Sequence, residues 1–305
     1  MPINTLEYAK LFQTELDKQI TQQATSGWME SNAGQVIYNG GDEIKIPEIA
    51  VQGLADYNRD SGFVQGSVTY KYQTHKLTQD RGRTFQLDAM DVDETNFGAS
   101  AANVMSEFQR VEVIPEIDSY RYSFIAAKAA AAGKSREYAL AESTILKELY
   151  KDIFDLADMG VDLSQLVISI AYPAYGVLTG NTSLQKRIDV GQFAQGGINL
   201  QIKMLDGIPL IPVSSSRMKT EYVFNDGETS GQEQGGIVPA TGAKDVNWIV
   251  SPRNAPIGIS KTDKVRIFTP DENQKADAWK LDYRKYHDVI IPDNKTAAFR
   301  VTTGG

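Results

Sequence analysis

Hydrophobic positions change period several times along this chain. Leu6, Ala9, Phe12, Leu16 and Ile20 recur at helical spacing behind Asn4 and Glu7, an N-cap signature, and the stripe fades at Thr25-Ser26-Gly27. This predicts a separate N-terminal helix. From Gln35 to Ile49 alternation takes over, with Val36, Tyr38, Ile44 and Ile46 around Asn39-Gly40-Gly41, which predicts a hairpin. Residues 50–67, AVQGLADYNRDSGFVQGS, hold Gly53, Gly62 and Gly66 and few core-sized side chains, so they read as an exposed excursion. VTYKYQTHKLTQDRGRTFQLD then alternates for about twenty residues, long against a usual strand of five or six. Two long strands flanking an exposed tip make a protruding β-arm. An isolated two-stranded ribbon is marginally stable in water, so the arm is expected to lie on a partner.

Beyond Leu87 the period returns to helical. Phe97, Ala101, Val104, Met105, Phe108 and Val111, then Ile117, Tyr120, Phe124 and Ala127, trace one long helix that is kinked or broken at Pro115 and ended by Gly133. Ser135 is placed to cap another helix, with Leu140, Thr144, Ile145, Leu149, Ile153 and Leu156 on its apolar face. From Leu166 onward, LVISI, LQIKML, IPLIPV, VNWIV, IGIS and VRIF are short strand-like runs, while residues 214–243 are polar and Gly-rich enough for a long surface loop. AWKLDYRKYHDVIIPDN alternates, turns at Pro292-Asp293-Asn294, and TAAFRV is expected to pair back on it. No internal repeat of 20 to 50 residues is visible.

Composition narrows the chemistry. The 305 residues suffice for one large domain or two ordinary ones, and 41% hydrophobic residues supply a core. With no cysteine and only His75 and His287, thiolate metal sites, disulfides, cysteine nucleophiles and most triad or zinc plans fall away. The N-terminal stretch lacks the form of a secretion signal and there is no apolar membrane-spanning run, so the expected site of synthesis is the cytoplasm, Asn181-Thr182-Ser183 being an accidental sequon. A net charge of −8 disfavours tight nucleic-acid binding.

The crowded acids Asp88, Asp91, Asp93 and Glu94 lack the central glycine of a calcium loop. They suit a helix entrance, where each negative side chain contributes roughly 0.3 to 1 kcal/mol and Asp93 can cap. Gly133-Lys134-Ser135 lacks the earlier glycine of a phosphate loop and reads as a helix stop. Arg81 and Arg83, on a strand with no evident internal partner, favour charge matching between subunits over solvated surface pairs. His75 and His287 are expected at a surface or interface, and Trp28, Trp248 and Trp279 in core or interface.

The order of parts resembles the major capsid proteins of tailed bacteriophages, with the Hong Kong 97-like fold. The resemblance rests on IYNGGDEIKIPEI with GLADYNRDSGFVQGSVT, on LTQDRGRTFQLDAMDVDETNF, on VMSEFQRVEVIPEIDSYRYSFIA, and downstream on LVISIAYPAYGVL and LDGIPLIPVSSSRM. It covers nearly the whole chain. It implies an α+β capsid fold with an N-terminal arm (1–33), an extended β-hairpin loop (34–92), a peripheral domain with a long spine helix (93–135 and 262–305) and an axial α/β domain (136–261).

The function so implied is structural, not enzymatic, with no cofactor or metal. The subunit self-assembles as hexamers and pentamers into an icosahedral shell around double-stranded DNA, which it contacts weakly and non-specifically. Further partners are a portal protein and a separate scaffolding protein, the latter expected because the chain starts almost directly at the arm helix; a membrane is not among them. The location is the virion head, assembled in the host bacterial cytoplasm. Candidate contacts between subunits are Asp56, Tyr57, Arg59, Asp60, Phe63, Arg81, Arg83, Asp88, Asp91, Asp93 and Glu94. Residues 50–66 hold no lysine, so the isopeptide cross-link of some relatives is not expected. The competing readings are an encapsulin-like compartment, a hydrolase built on Asp91 and Glu94, and a carbohydrate-binding β domain.

Overall fold

A computed structural model describes residues 24–38, 43–60, 62–90, 100–181, 188–195 and 198–305. The helix expected at residues 4–20, the Asn39-Gly40-Gly41 turn, Asp91, Asp93, Glu94 and most of the sequon lie outside the described residues.

Strand β1 (Ile37–Tyr38) pairs antiparallel with β2 (Glu43–Val51), and β2 pairs along its whole length with β3 (Val68–Lys76). After Leu77 and Thr78 comes β4 (Gln79–Asp88). The spine follows as α1 (Ser100–Phe108), a π-helical turn (Gln109–Val113) and α2 (Ile114–Ala131). Where a kink or break is expected at Pro115 the helical backbone instead runs on without interruption, and the irregularity is the wider turn just before Pro115. The helix closes by donation from Lys134 N to the Ala129 carbonyl (2.8 Å) and from Gly133 N to that of Ala130 (3.0 Å). Gly133 sits at φ +67°, the left-handed turn that glycine tolerates.

Ser135 does not cap a helix. It opens β5 (Ser135–Glu137), and α3 (Ile145–Asp158) starts ten residues later behind Thr144. Then come β6 (Leu166–Ala171), α4 (Tyr172–Gly180), β7 (Ile188–Gln195), β8 (Ile198–Leu205) and β9 (Ile208–Val213). The segment expected to be a plain surface loop contains a small hairpin, β10 (Tyr222–Phe224) with β11 (Ile237–Pro239). The rest are β12 (Val246–Pro252), β13 (Ile257–Phe268), β14 (Ala278–Ile290) and β15 (Arg300–Thr303).

The main sheet has the order β5-β15-β12-β6-β9-β8-β7. Alternation assigns its two faces. Leu166, Ile168 and Ile170 pack with Leu149, Ile153 and Leu156 of α3 and Leu178 of α4, whereas Val167 and Ala171 join Tyr122, Ile125 and Ala129 of α2. A helix layer on each side buries both faces, which explains why LVISI is a continuous apolar run.

Two expectations are corrected here. TAAFRV does not pair back on the preceding strand; β15 inserts between β12 and β5, because its Val301 is required in the core beneath α2. Nor does the strand carrying Arg81 and Arg83 project: β4 pairs with β14, which pairs with β13. That three-stranded sheet packs Phe85, Leu281 and Tyr283 against Met105, Ile114 and Ile117 of the spine.

Candidate assembly interface

The ribbon of β2 and β3 is held at its base and bare beyond it. Ile44 and Ile46 point to one side, and with Leu77 they join Ile257, Ile259 and Ile290 in a buried cluster. The next position on that side is Glu48, bound by Gln73 Nε2 at 2.9 Å. The other side carries the apolar positions farther out. Register pairs Pro47 with Tyr72, Ile49 with Tyr70 and Val51 with Val68, so these residues form one continuous stripe, all but Pro47 being at least half exposed. At the tip Leu54 is fully exposed and Phe63 is 89% exposed. Such contiguous apolar exposure marks an interaction surface.

The tip has its own small order. Asn58 bridges Gly62, Asp60 N donates to Asn58 Oδ1 at 2.8 Å, and the Tyr57 and Phe63 rings lie 4.8 Å apart. Gly62, at φ +83°, supplies the turn.

What aims the ribbon is a buried polar seam. At the junction of β3 and β4, Thr78 N (2.8 Å) and Oγ1 (3.1 Å) both donate to Asp288 Oδ2, and Tyr120 OH of α2 donates to Asp288 Oδ1 at 2.6 Å. Burial, followed by the charge of Asp288, pushes the Tyr120 hydroxyl above its ordinary range. Below this, Asp118 accepts from Thr25 N, Thr25 Oγ1, Ser26 N, Ser26 Oγ and Arg217 Nη1, at 2.6 to 3.1 Å. Fully buried Arg121 donates to Glu30 Oε1 at 2.5 Å and to the Ser26 carbonyl at 3.1 Å. Burial raises the Glu30 carboxyl, yet the charges of Arg121 and Lys285 and the Arg121 hydrogen bond together hold it below its ordinary range.

Of the candidate contacts, Asp56, Tyr57, Arg59, Asp60 and Phe63 share the exposed tip. Arg81 is engaged within the chain: its Nε and Nη2 fork onto Glu116 (2.7 and 3.2 Å) and its Nη1 donates to the Asn225 carbonyl at 2.8 Å. Its strand therefore has the internal partner that seemed lacking. Exposed Arg83 leans on the Glu233 carbonyl at 3.3 to 3.4 Å, and Asp88 Oδ1 accepts from Met90 N at 2.9 Å.

His287, expected at a surface or interface, is instead 2% exposed on the inward face of β14 with Tyr283 and Lys285. Burial, then Arg121, Lys285 and Arg81, depress its pKa well below the ordinary range. Half-buried His75 is lowered by burial too. Sequence reasoning missed the ribbon stripe and the seam. The stripe was available from the odd positions 47, 49 and 51; Asp118 and Arg121, on a helix, carried no comparable mark.

No family model matches the sequence, and no curated protein matches it either. Its architecture, by contrast, is shared with capsid shell proteins. The chain resembles the capsid protein of cyanophage P-SCSP1u at TM-score 0.62 and 10% identity, covering 88% of this chain and 85% of that one. The mature capsid of bacteriophage PhiM1 matches at TM-score 0.57 and 11% identity over 88% and 83% of the two chains. A virus-like particle from Pyrococcus furiosus matches at TM-score 0.53 and 10% identity over 97% and 99%. The α+β fold is thus the Hong Kong 97-like capsid fold.

Proposed function

We propose that this chain is the major capsid protein of a tailed bacteriophage or prophage, assembling as hexamers and pentamers into an icosahedral shell around double-stranded DNA. The observation that carries this reading is the ribbon: an apolar stripe aimed by a buried seam and left bare on the single chain. Burial of such a stripe on a second copy stabilises both, and repetition of modest contacts over a closed lattice accumulates. In this reading residues 1–33 are an arm, 34–92 the extended loop, 93–135 and 262–305 the peripheral domain, and 136–261 the axial domain. Partners are other copies, a portal protein, a separate scaffolding protein and weakly held DNA, and the location is the virion head, assembled in the bacterial cytoplasm.

Electron microscopy of the expressed protein tests this. Uniform closed shells are expected, and a monodisperse single chain at high concentration would refute the reading. An encapsulin-like compartment is the second reading, favoured by the near-complete coverage of both chains in the Pyrococcus furiosus match. Shell contents separate the two: nuclease-protected DNA supports the first, and a co-purifying protein cargo the second.

A further inference from the structure

Lys285 is the only buried lysine among the described residues, 4% exposed on the spine side of β14. Its register partner on β13 is Asp263, and Lys285 Nζ lies 2.6 Å from Asp263 Oδ2. The pair shares its face with Tyr283, Val265 and Ile267, which pack with the spine. Burying two charges is costly, and their attraction offsets that cost only when geometry and hydrogen bonding are both good. Condensation to an amide removes both charges, and groups held in contact react without the entropic cost of finding each other. A proton carrier stands beside them. His287, the next residue along the same face, is 2% exposed, and its Nδ1 has no hydrogen-bond partner. Burial, then the charges of Arg121, Lys285 and Arg81, keep the ring neutral, and a neutral imidazole can take a proton on one nitrogen and release one from the other. Lys285 and His287 both border a cavity of about 570 Å³ between β4, the spine and residues 225–236, which gives a released water somewhere to go.

We propose that Lys285 and Asp263 condense to an isopeptide bond within the folded chain, with His287 moving the proton. An ammonium proton of Lys285 passes to the Asp263 carboxylate across the contact, leaving an amine and a neutral carboxyl group. The Nζ lone pair attacks Cγ. His287 takes a proton from the nitrogen and delivers one to the hydroxyl, whose C–O bond breaks to expel water. One C–N bond forms and one C–O bond is lost, with no oxidant, reductant or cofactor consumed. The bond ties adjacent strands of a single copy, unlike a cross-link between subunits, and is independent of the shell reading.

Mass spectrometry of the denatured wild-type chain tests this. A chain lighter by one water is expected, with a digest that yields a branched peptide joining the segments of Asp263 and Lys285. Lys285→Arg should keep its full mass. Asp263→Asn, which preserves the side chain's shape, should expel ammonia in place of water, and His287→Phe should slow cross-linking by about a hundredfold. A wild-type chain of full mass would overturn the proposal, whether or not shells form. A water loss that survives Lys285→Arg would overturn it too, by assigning the loss to another site. Unchanged cross-linking in His287→Phe would remove the imidazole from the reaction. The deciding measurement is made on wild-type protein, so it stands even where a variant fails to fold.

Discussion

The ribbon and the seam beneath it invert the usual division of polarity. In the ribbon, Ile49, Val51, Leu54, Phe63, Val68, Tyr70 and Tyr72 face water, whereas in the seam Asp118, Arg121 and Asp288 are all but inaccessible. Buried polar groups cost free energy unless each is bonded, and bonded networks have definite geometry. The seam therefore contributes direction more than net stability, while the ribbon holds apolar surface in reserve. One region is tied largely within the single chain, and the other leaves its apolar side exposed.

The sharpest way to break that contrast is at Asp118. Replacing it by Ala strands the Thr25 and Ser26 donors and Arg217, and should cost about 3 to 5 kcal/mol in urea unfolding of the unassembled chain. Next comes the ribbon's base, where Ile46→Ala should cost about 2 to 5 kcal/mol by the same measurement.

A smaller effect comes from pH. Folded His287 stays neutral, whereas the unfolded chain takes up a proton near the ordinary pKa of 6.5. Below that pH the unfolded state binds more protons, so stability falls with falling pH, by up to about 1.4 kcal/mol per unit, until the depressed folded pKa is reached. Unfolding midpoints followed downward from pH 7 should show this slope, and His287→Phe should flatten it.

The smallest expected change in monomer stability is at the tip. Leu54→Ser and Phe63→Ser should move it by no more than about 0.5 kcal/mol, yet shell yield should collapse. A large loss of monomer stability at Phe63 would mean that the tip is already covered, and the contrast between the regions would fail.

Local pattern made much of this fold legible. Apolar periodicity located the Ile145–Leu156 helix face and the LVISI strand, and Gly133 marked the end of the spine. What escaped was pairing over long separations. Nothing near Arg81 announces Glu116, and nothing in TAAFRV reveals that its neighbours are β12 and β5. Alternation gave His287 its correct parity with Tyr283 but not the sign of that face, because Lys285 and His287 are polar and buried all the same. At the candidate interface, the exposed tip was readable from its glycines.

The position of β15 between β5 and β12 bears on synthesis. Ser135–Glu137 has no hydrogen-bonded neighbour in its sheet until Arg300–Thr303 arrives, so a ribosome must deliver residue 303 before the sheet can close. A nascent chain halted earlier lacks Val301 under the spine, which makes delivery of Arg300–Thr303 a late condition for completing the core beneath α2.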